Sequence, residues 1–243
     1  MQHIRLAGWL KSLILLCGCV LLCYGTKVRI AVLAPENGSL PYSRERIMPA
    51  IELAISKIKE MGDLGPLPGV EIQLMYFDTE CDSVRAGLVS FEIQYKGLAD
   101  VFFGPICSYA VAPVSRYSSV WNIPVLTVDA RSMAFDGKEI YRLLTRVNGA
   151  YYQLRNMVIT FLNRYDWKRV LFLFHQAEDK KSGNSECYFQ LGPISTGLSK
   201  DNVYYETFDE NDPAFDVMGI LKAVKKKARS NSFILNYIGT EFA

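Results

Sequence analysis

Three cysteines, Cys81, Cys107 and Cys187, are the side chains of this chain best suited to covalent chemistry once the first 25 residues are set aside. Cys81 and Cys107 are 26 residues apart, which is the spacing of two successive strand ends in a βαβ unit. We therefore predict a disulfide between them. Such a bond would stabilise the folded state by about 3–4 kcal/mol, because it lowers the conformational entropy of the unfolded chain. Such a bond excludes Cys107 as a nucleophile, because nucleophilic attack needs a free thiolate.

The segment from Val101 to Arg116 predicts a buried strand followed at once by a helix. Gly104-Pro105 stops the strand, and Ser108 is suited to cap the helix. The N–H groups of Ile106, Cys107 and Ser108 would then face outward, where a helix N-terminus attracts an anion or a carboxylate. Open α/β sheets bind ligands at such junctions, although the pattern alone also fits an ordinary turn between strand and helix.

Catalysis is not expected. His175 is the only histidine after residue 25, so the sequence cannot build a multi-histidine metal site, and we predict no metal. The chain has no glycine-rich phosphate loop and no Gly-x-Ser-x-Gly motif. These observations argue against an enzyme, which is the weakest of the functions considered, and favour a binding protein.

Residues 1–25 have the pattern of a secretory signal peptide. Arg5 and Lys11 precede an apolar run, 13–23, that is about half the length needed to cross a bilayer, so a membrane anchor is the weaker alternative. Without this leader the chain carries 25 basic and 25 acidic residues and is neutral, so we predict no nucleic-acid partner. The tripeptide starting at Asn37 is an N-glycosylation sequon.

Apolar runs alternate with amphipathic stretches through the chain, which predicts a parallel sheet flanked by helices. Helix 83–95 is expected to turn Val84, Leu88 and Phe91 inward. The polar stretch 129–139 is the expected crossing to a second alternation, and we divide the chain into a leader (1–25), a first lobe (26–147) and an incomplete second lobe (148–243). The predicted strands are 28–33, 70–77, 101–103, 124–128, 169–174, 203–208 and 233–237.

Four segments of the sequence resemble the extracellular domain of the natriuretic peptide receptors, and the clearance type most closely. They cover residues 46–52, 104–116, 144–147 and 187–189, and they occur in the family's order. The resemblance extends from about residue 27 to about residue 230. It implies the two-lobed fold of type I periplasmic binding proteins, a homodimer formed through the first lobe, and a peptide hormone bound between the subunits.

The resemblance also implies a set of site residues. In the family the cysteines matching Cys81 and Cys107 are bonded, and a chloride ion lies beside them. The positions that would bind chloride here are Thr79, where the family has serine, and the backbone of Ile106 and Cys107. By similarity Tyr109 and Arg116 lie near the hormone-facing and dimer-facing surface.

The second lobe departs from the family. Cys187 matches a cysteine that is bonded to a later strand, but Asn236 stands at the position of that partner. Cys187 is thus predicted to lack the intrachain disulfide of the family, with a bond to another chain as the alternative. The family's remaining strands and its membrane-spanning segment have no counterpart in this sequence, so we expect a truncated receptor whose membrane contact would need segments outside this chain.

A small-molecule sensor on the same fold is the alternative function. Sensors of this kind use a hydroxyl-rich turn to hold a carboxylate, but the turn 104–109 offers one hydroxyl, Ser108. The leading prediction is an extracellular domain that binds a natriuretic peptide.

Overall fold

The computed structural model describes residues 26–40, 42–176, 186–209, 212–227 and 233–236. The predicted signal peptide lies outside these residues.

Five parallel strands form the first sheet, in the order β2-β1-β3-β4-β5. They are β1 (Thr26–Ala34), β2 (Val70–Asp78), β3 (Val101–Phe103), β4 (Val125–Thr127) and β5 (Leu144–Arg146). This architecture confirms the predicted α/β class with a parallel sheet. The strand order places the carboxyl ends of β2 and β3 on either side of the end of β1.

Three helices accompany this sheet: α1 (Arg44–Glu60), α2 (Ser83–Tyr95) and α3 (Ser108–Trp121). Side chains of α2 and α3 pack with one face of the sheet in a single buried core. Ile93, Phe102 and Val111, one from each of α2, β3 and α3, are fully buried in it. Because parallel crossovers are right-handed, the reversal of strand order at β1 places α1 on the opposite face from α2 and α3.

The predicted inward face of α2 was wrong. Val84, Leu88 and Phe91 are 69 %, 62 % and 46 % exposed, whereas the buried residues of this helix are Ala86, Gly87, Val89, Ser90 and Ile93. These smaller side chains let α2 pack against α3. Both faces of α2 are apolar, so the larger side chains could not identify the core face.

The predicted crossing at 129–139 was also wrong, because the chain returns to the first sheet as β5. Phe135 lies in a short 3₁₀ turn and is 6 % exposed in the first core, with its ring 5.0 Å from that of Tyr141. Packing of Phe135 and Tyr141 in the first core thus keeps the polar segment 129–139 next to the first sheet. The predicted lobe boundary at residue 147 stays a prediction.

A second parallel sheet has the order β7-β6-β8, with β6 (Val170–His175), β7 (Val203–Phe208) and β8 (Phe233–Asn236). Its helices are α4 (Tyr151–Arg164), α5 (Glu186–Ser195) and α6 (Val217–Lys227). Residues of β6, α4 and α5 form the second core.

Candidate functional site

The disulfide between Cys81 and Cys107 is present, which confirms the predicted pairing. The two Cα atoms are 5.5 Å apart, and the bond closes a separation of 26 residues. Cys81 follows β2, and Cys107 is the N-cap residue of α3. Since β2 and β3 are both neighbours of β1, the bond spans the carboxyl end of β1 and fixes the start of α3.

The turn that holds Cys81 is fixed by two carboxylates. Asp78 Oδ1 accepts hydrogen bonds from the N–H groups of Glu36 (3.0 Å) and Glu80 (2.8 Å), and so ties the turn after β2 to the turn after β1. Asp82 Oδ1 accepts from the N–H of Arg85 at 2.7 Å and caps α2. Glu80 and Cys81 themselves have left-handed backbone conformations (φ 51° and 56°).

On the other side of the bond, Gly104 brings the chain close to β1. Its φ is 102°, and a Cβ at this position would overlap the carbonyl oxygen of Leu33. The Gly104 N–H donates to the carbonyl of Leu126 at 2.7 Å. Glycine is needed here for both the backbone conformation and the close approach.

The prediction that Ser108 caps α3 was wrong, because the N-cap residue is Cys107. The Ser108 hydroxyl instead donates to Asp129 Oδ1 at 2.8 Å. The Thr127 hydroxyl donates to the carbonyl of Pro105 (2.6 Å) and accepts from the Asp129 N–H (3.1 Å). These bonds tie the end of β4 to the segment before α3. Burial raises the pKa of the Asp129 carboxyl above its ordinary value, against the opposing effects of the Ser108 hydrogen bond and the charge of Arg131.

Hydrogen-bond donors suited to an anion surround the disulfide. The Thr79 side chain is fully buried, and its Oγ1 has no hydrogen-bond partner within the described residues. Among those same residues, no backbone carbonyl accepts a hydrogen bond from the N–H groups of Ile106 and Cys107. A buried hydroxyl and N–H groups at the start of a helix are the donor types that a halide requires, so these three residues fit the predicted chloride.

Tyr109 and Arg116 lie on α3, seven residues apart on one side of the helix. The Tyr109 ring is half-buried and meets the ring of Phe189 on α5 edge to face, with centroids 5.6 Å apart. Arg116 is exposed, and its guanidinium carbon lies 5.7 Å from the centroid of the Tyr141 ring. Tyr109 therefore stands where α3 of the first sheet meets α5 of the second, and Arg116 lies beside the first core.

An apolar surface that the sequence did not predict lies along α2 and α3. A groove of about 480 Å³ runs between the helices, with Tyr109 and Pro113 on its α3 side. We name as the α2–α3 apolar face the exposed side chains of Val84, Leu88, Phe91, Tyr95, Tyr117 and Val120. The Phe91 ring lies 4.6 Å from that of Tyr117 and 4.9 Å from that of Trp121, so this face carries an aromatic cluster.

The other predicted positions are dispersed. Asn37 is exposed in the turn after β1. Cys187 is 1 % exposed in the second core, and the disulfide found among the described residues joins the other two cysteines. Asn236 ends β8. Within the described ranges, no group of three or more metal-ligating side chains converges and no helix is long and apolar enough to cross a bilayer.

Residues 46–237 match the family described as "Receptor family ligand binding region" (ANF_receptor). This chain belongs to that family, and its described sheets have the periplasmic-binding-protein-like α/β fold.

Within the family the chain is similar to natriuretic peptide receptors, which confirms the predicted resemblance. It is 32 % identical over 189 residues to "Atrial natriuretic peptide receptor 3" of Rattus norvegicus, covering 75 % of this chain and 34 % of that receptor. With the Homo sapiens receptor 3 the identity is 31 % over 211 residues, covering 84 % and 38 %. "Atrial natriuretic peptide receptor 2" of Anguilla japonica is 29 % identical over 214 residues, covering 84 % and 20 %. The chain thus spans little more than a third of the receptor 3 relatives.

Proposed function

We propose that this chain is the N-terminal part of a natriuretic peptide receptor ectodomain that binds a peptide hormone and catalyses no reaction. The observation that carries the proposal is the arrangement around α3. One end of this helix is fixed by the disulfide at Cys107, and its exposed side presents Tyr109 and Arg116 next to the α2–α3 apolar face. A rigid, aromatic and partly charged surface is suited to recognition of a peptide.

The α2–α3 apolar face is the proposed contact with a second copy of the chain. Leu88 and Tyr95 are 62 % and 91 % exposed, and exposed apolar patches of this kind mark protein interfaces. A twofold dimer would place the same patch of each copy against the other, with the cluster of Phe91, Tyr117 and Trp121 as the anchor. The family resemblance supports a dimer formed through the first lobe, and the location of this face on α2 and α3 of the first sheet agrees with it.

Tyr109 is the proposed hormone contact at the edge of this dimer. Its ring borders both the α2–α3 groove and Phe189 of α5, so a peptide there would touch both halves of the fold. Arg116 adds a cation on the same side of α3, available to a carboxylate or a backbone carbonyl of the peptide.

A chloride ion is the proposed cofactor, bound by the Thr79 hydroxyl and the N–H groups of Ile106 and Cys107. When bound, the ion would supply an acceptor for these donors. Thr79 belongs to the turn after β2, and the other two residues precede α3. The ion and the disulfide would together position the start of α3, and hence Tyr109.

We further propose that the chain enters the secretory pathway and acts on the extracellular side. The disulfide supports an oxidising compartment, and Asn37 is exposed as a glycosylation acceptor must be. Expression in a mammalian secretory host tests both points. A glycosidase-sensitive mobility shift is expected, and it should disappear in Asn37→Gln; an unglycosylated cytosolic product would contradict the proposal.

Calorimetry with a natriuretic peptide tests hormone binding by the full chain. The expected result is saturable heat with one peptide for two chains, lost in Tyr109→Ala. Tyr165→Ala is the control, because Tyr165 is 59 % exposed at the end of α4 and far from α3 in sequence. Absence of heat at high micromolar peptide would contradict the proposed function.

A further inference from the structure

Ser43 carries a second fully buried hydroxyl at the end of β1, the edge of the sheet that also holds the proposed chloride site. It is the N-cap residue of α1, where the side-chain oxygen normally accepts a hydrogen bond from the first turn of the helix. Here the side chain makes no such bond; the N–H groups of Arg46 and Ile47 donate to the Ser43 backbone carbonyl at 3.0 and 3.1 Å. The Ser43 Oγ is buried and has no hydrogen-bond partner within the described part of the chain.

Backbone hydrogen bonds bring the segments that hold Ser43 and Thr79 to the same end of β1. The N–H of Arg44, next to Ser43, donates to the carbonyl of Pro35 at 2.9 Å, and the N–H of Thr79 donates to the carbonyl of Ala34 at 3.3 Å. Ala34 and Pro35 are consecutive residues at the end of β1. The start of α1 and the turn after β2 therefore meet at the carboxyl end of β1, which the disulfide also spans.

Two buried hydroxyls without partners at one place are costly, because each has lost its hydrogen bonds to water. An acceptor placed between the two hydroxyls would receive a hydrogen bond from each, and the N–H groups of Ile106 and Cys107, at the start of α3, are further donors at this edge of the sheet. A monovalent anion satisfies donors of this kind.

We propose that Ser43 is a further ligand of this anion, through a hydrogen bond from its hydroxyl. This inference rests on the chloride site proposed above and extends it. The anion would then join three segments: the start of α1 at Ser43, the turn after β2 at Thr79, and the start of α3 at Cys107. Ser43 would thereby make the position of α1 depend on anion occupancy.

The test is thermal unfolding of the full chain while chloride replaces gluconate at constant ionic strength. The wild type should show a saturable rise in unfolding midpoint. Ser43→Ala should weaken the apparent chloride affinity about tenfold, the effect of losing one hydrogen bond to a charged group, and Ser43→Thr should restore it. Ser115→Ala is the matched control, because Ser115 Oγ is equally buried and unbonded among the described residues but lies in the middle of α3.

Unchanged chloride affinity in Ser43→Ala would overturn the role of Ser43 and leave the chloride site standing. Absence of any chloride-specific shift in the wild type would overturn the site itself, and the role of Ser43 with it. Crystals grown with bromide give an independent readout that needs no variant. The anomalous peak is expected within hydrogen-bonding distance of both Ser43 Oγ and Thr79 Oγ1, and a peak that contacts Thr79 alone would contradict the proposal.

Discussion

Replacing Leu88 by serine should weaken self-association of the chain without unfolding it. Leu88 lies at the centre of the exposed side of α2 and is 62 % exposed. Because the side chain contributes little to the first core, its loss should leave the folded monomer nearly as stable as the wild type. In the proposed dimer, by contrast, the same side chain is removed from water in both subunits.

The size of the effect follows from the exposed area. Burying a whole leucine side chain is worth about 1.5–3 kcal/mol, so burying the 62 % that is exposed is worth about 1–2 kcal/mol in each subunit. The twofold dimer counts this contribution twice, which gives about 2–4 kcal/mol. At about 1.4 kcal/mol for each factor of ten, the dissociation constant should rise roughly 30- to 700-fold.

Sedimentation velocity over a concentration series measures this constant, and circular dichroism checks that the variant is folded. Leu53→Ser is the matched control, because Leu53 is 61 % exposed on α1 and lies on the other face of the sheet. The reasoning is refuted if Leu88→Ser associates as the wild type does, or if Leu53→Ser is equally impaired.

Three further predictions concern the frame of the site. Gly104→Ala should destabilise the fold by about 1–3 kcal/mol in urea unfolding, since the φ of Gly104 is 102° and the Leu33 carbonyl occupies the space that a Cβ would need. Gly137→Ala should not destabilise the fold, because a Cβ at Gly137 would meet no other atom. Replacing Cys81 and Cys107 by serine should cost about 3.5 kcal/mol, measured in the same way, for a 26-residue separation. Burial raises the folded-state pKa of Asp129 above its ordinary 3.8, so the free energy of unfolding should decrease as pH rises from 3.8 through the folded pKa. Asp129→Asn should lack this decrease when the free energy of unfolding is measured from pH 3 to pH 7.

The strand and helix pattern was predictable because its signals are local. Strand β3 occupies residues 101–103 and helix α3 begins at Ser108, directly after the Gly104-Pro105 stop, as the sequence predicted. The disulfide followed from spacing, because consecutive strand ends of a βαβ unit fall at the same edge of a sheet. The chain order of the strands in the first sheet thus follows from periodicity and turn residues up to β4, whereas β5 was not predicted.

The apolar face was not predictable from periodicity, because α2 has two apolar faces. Ala86, Val89 and Ile93 also recur at helical spacing, and they are the buried set. Large apolar side chains on an exposed helix face have the composition of a core, so size alone assigned Leu88 and Phe91 to the wrong side. Ser43 was missed for a different reason: a serine before a helix predicts an ordinary cap, and only the three-dimensional structure shows that its hydroxyl makes no cap bond.

The stoichiometry of hormone binding tests the central claim most directly. A fluorescent natriuretic peptide titrated with the full chain, and followed by anisotropy, should saturate at one peptide for two chains. Leu88→Ser should shift the curve to higher protein concentration, and Tyr109→Ala should abolish it. Binding of one peptide to each chain, unaffected by either substitution, or no saturation at all, would contradict the assignment of this chain as part of a dimeric hormone receptor.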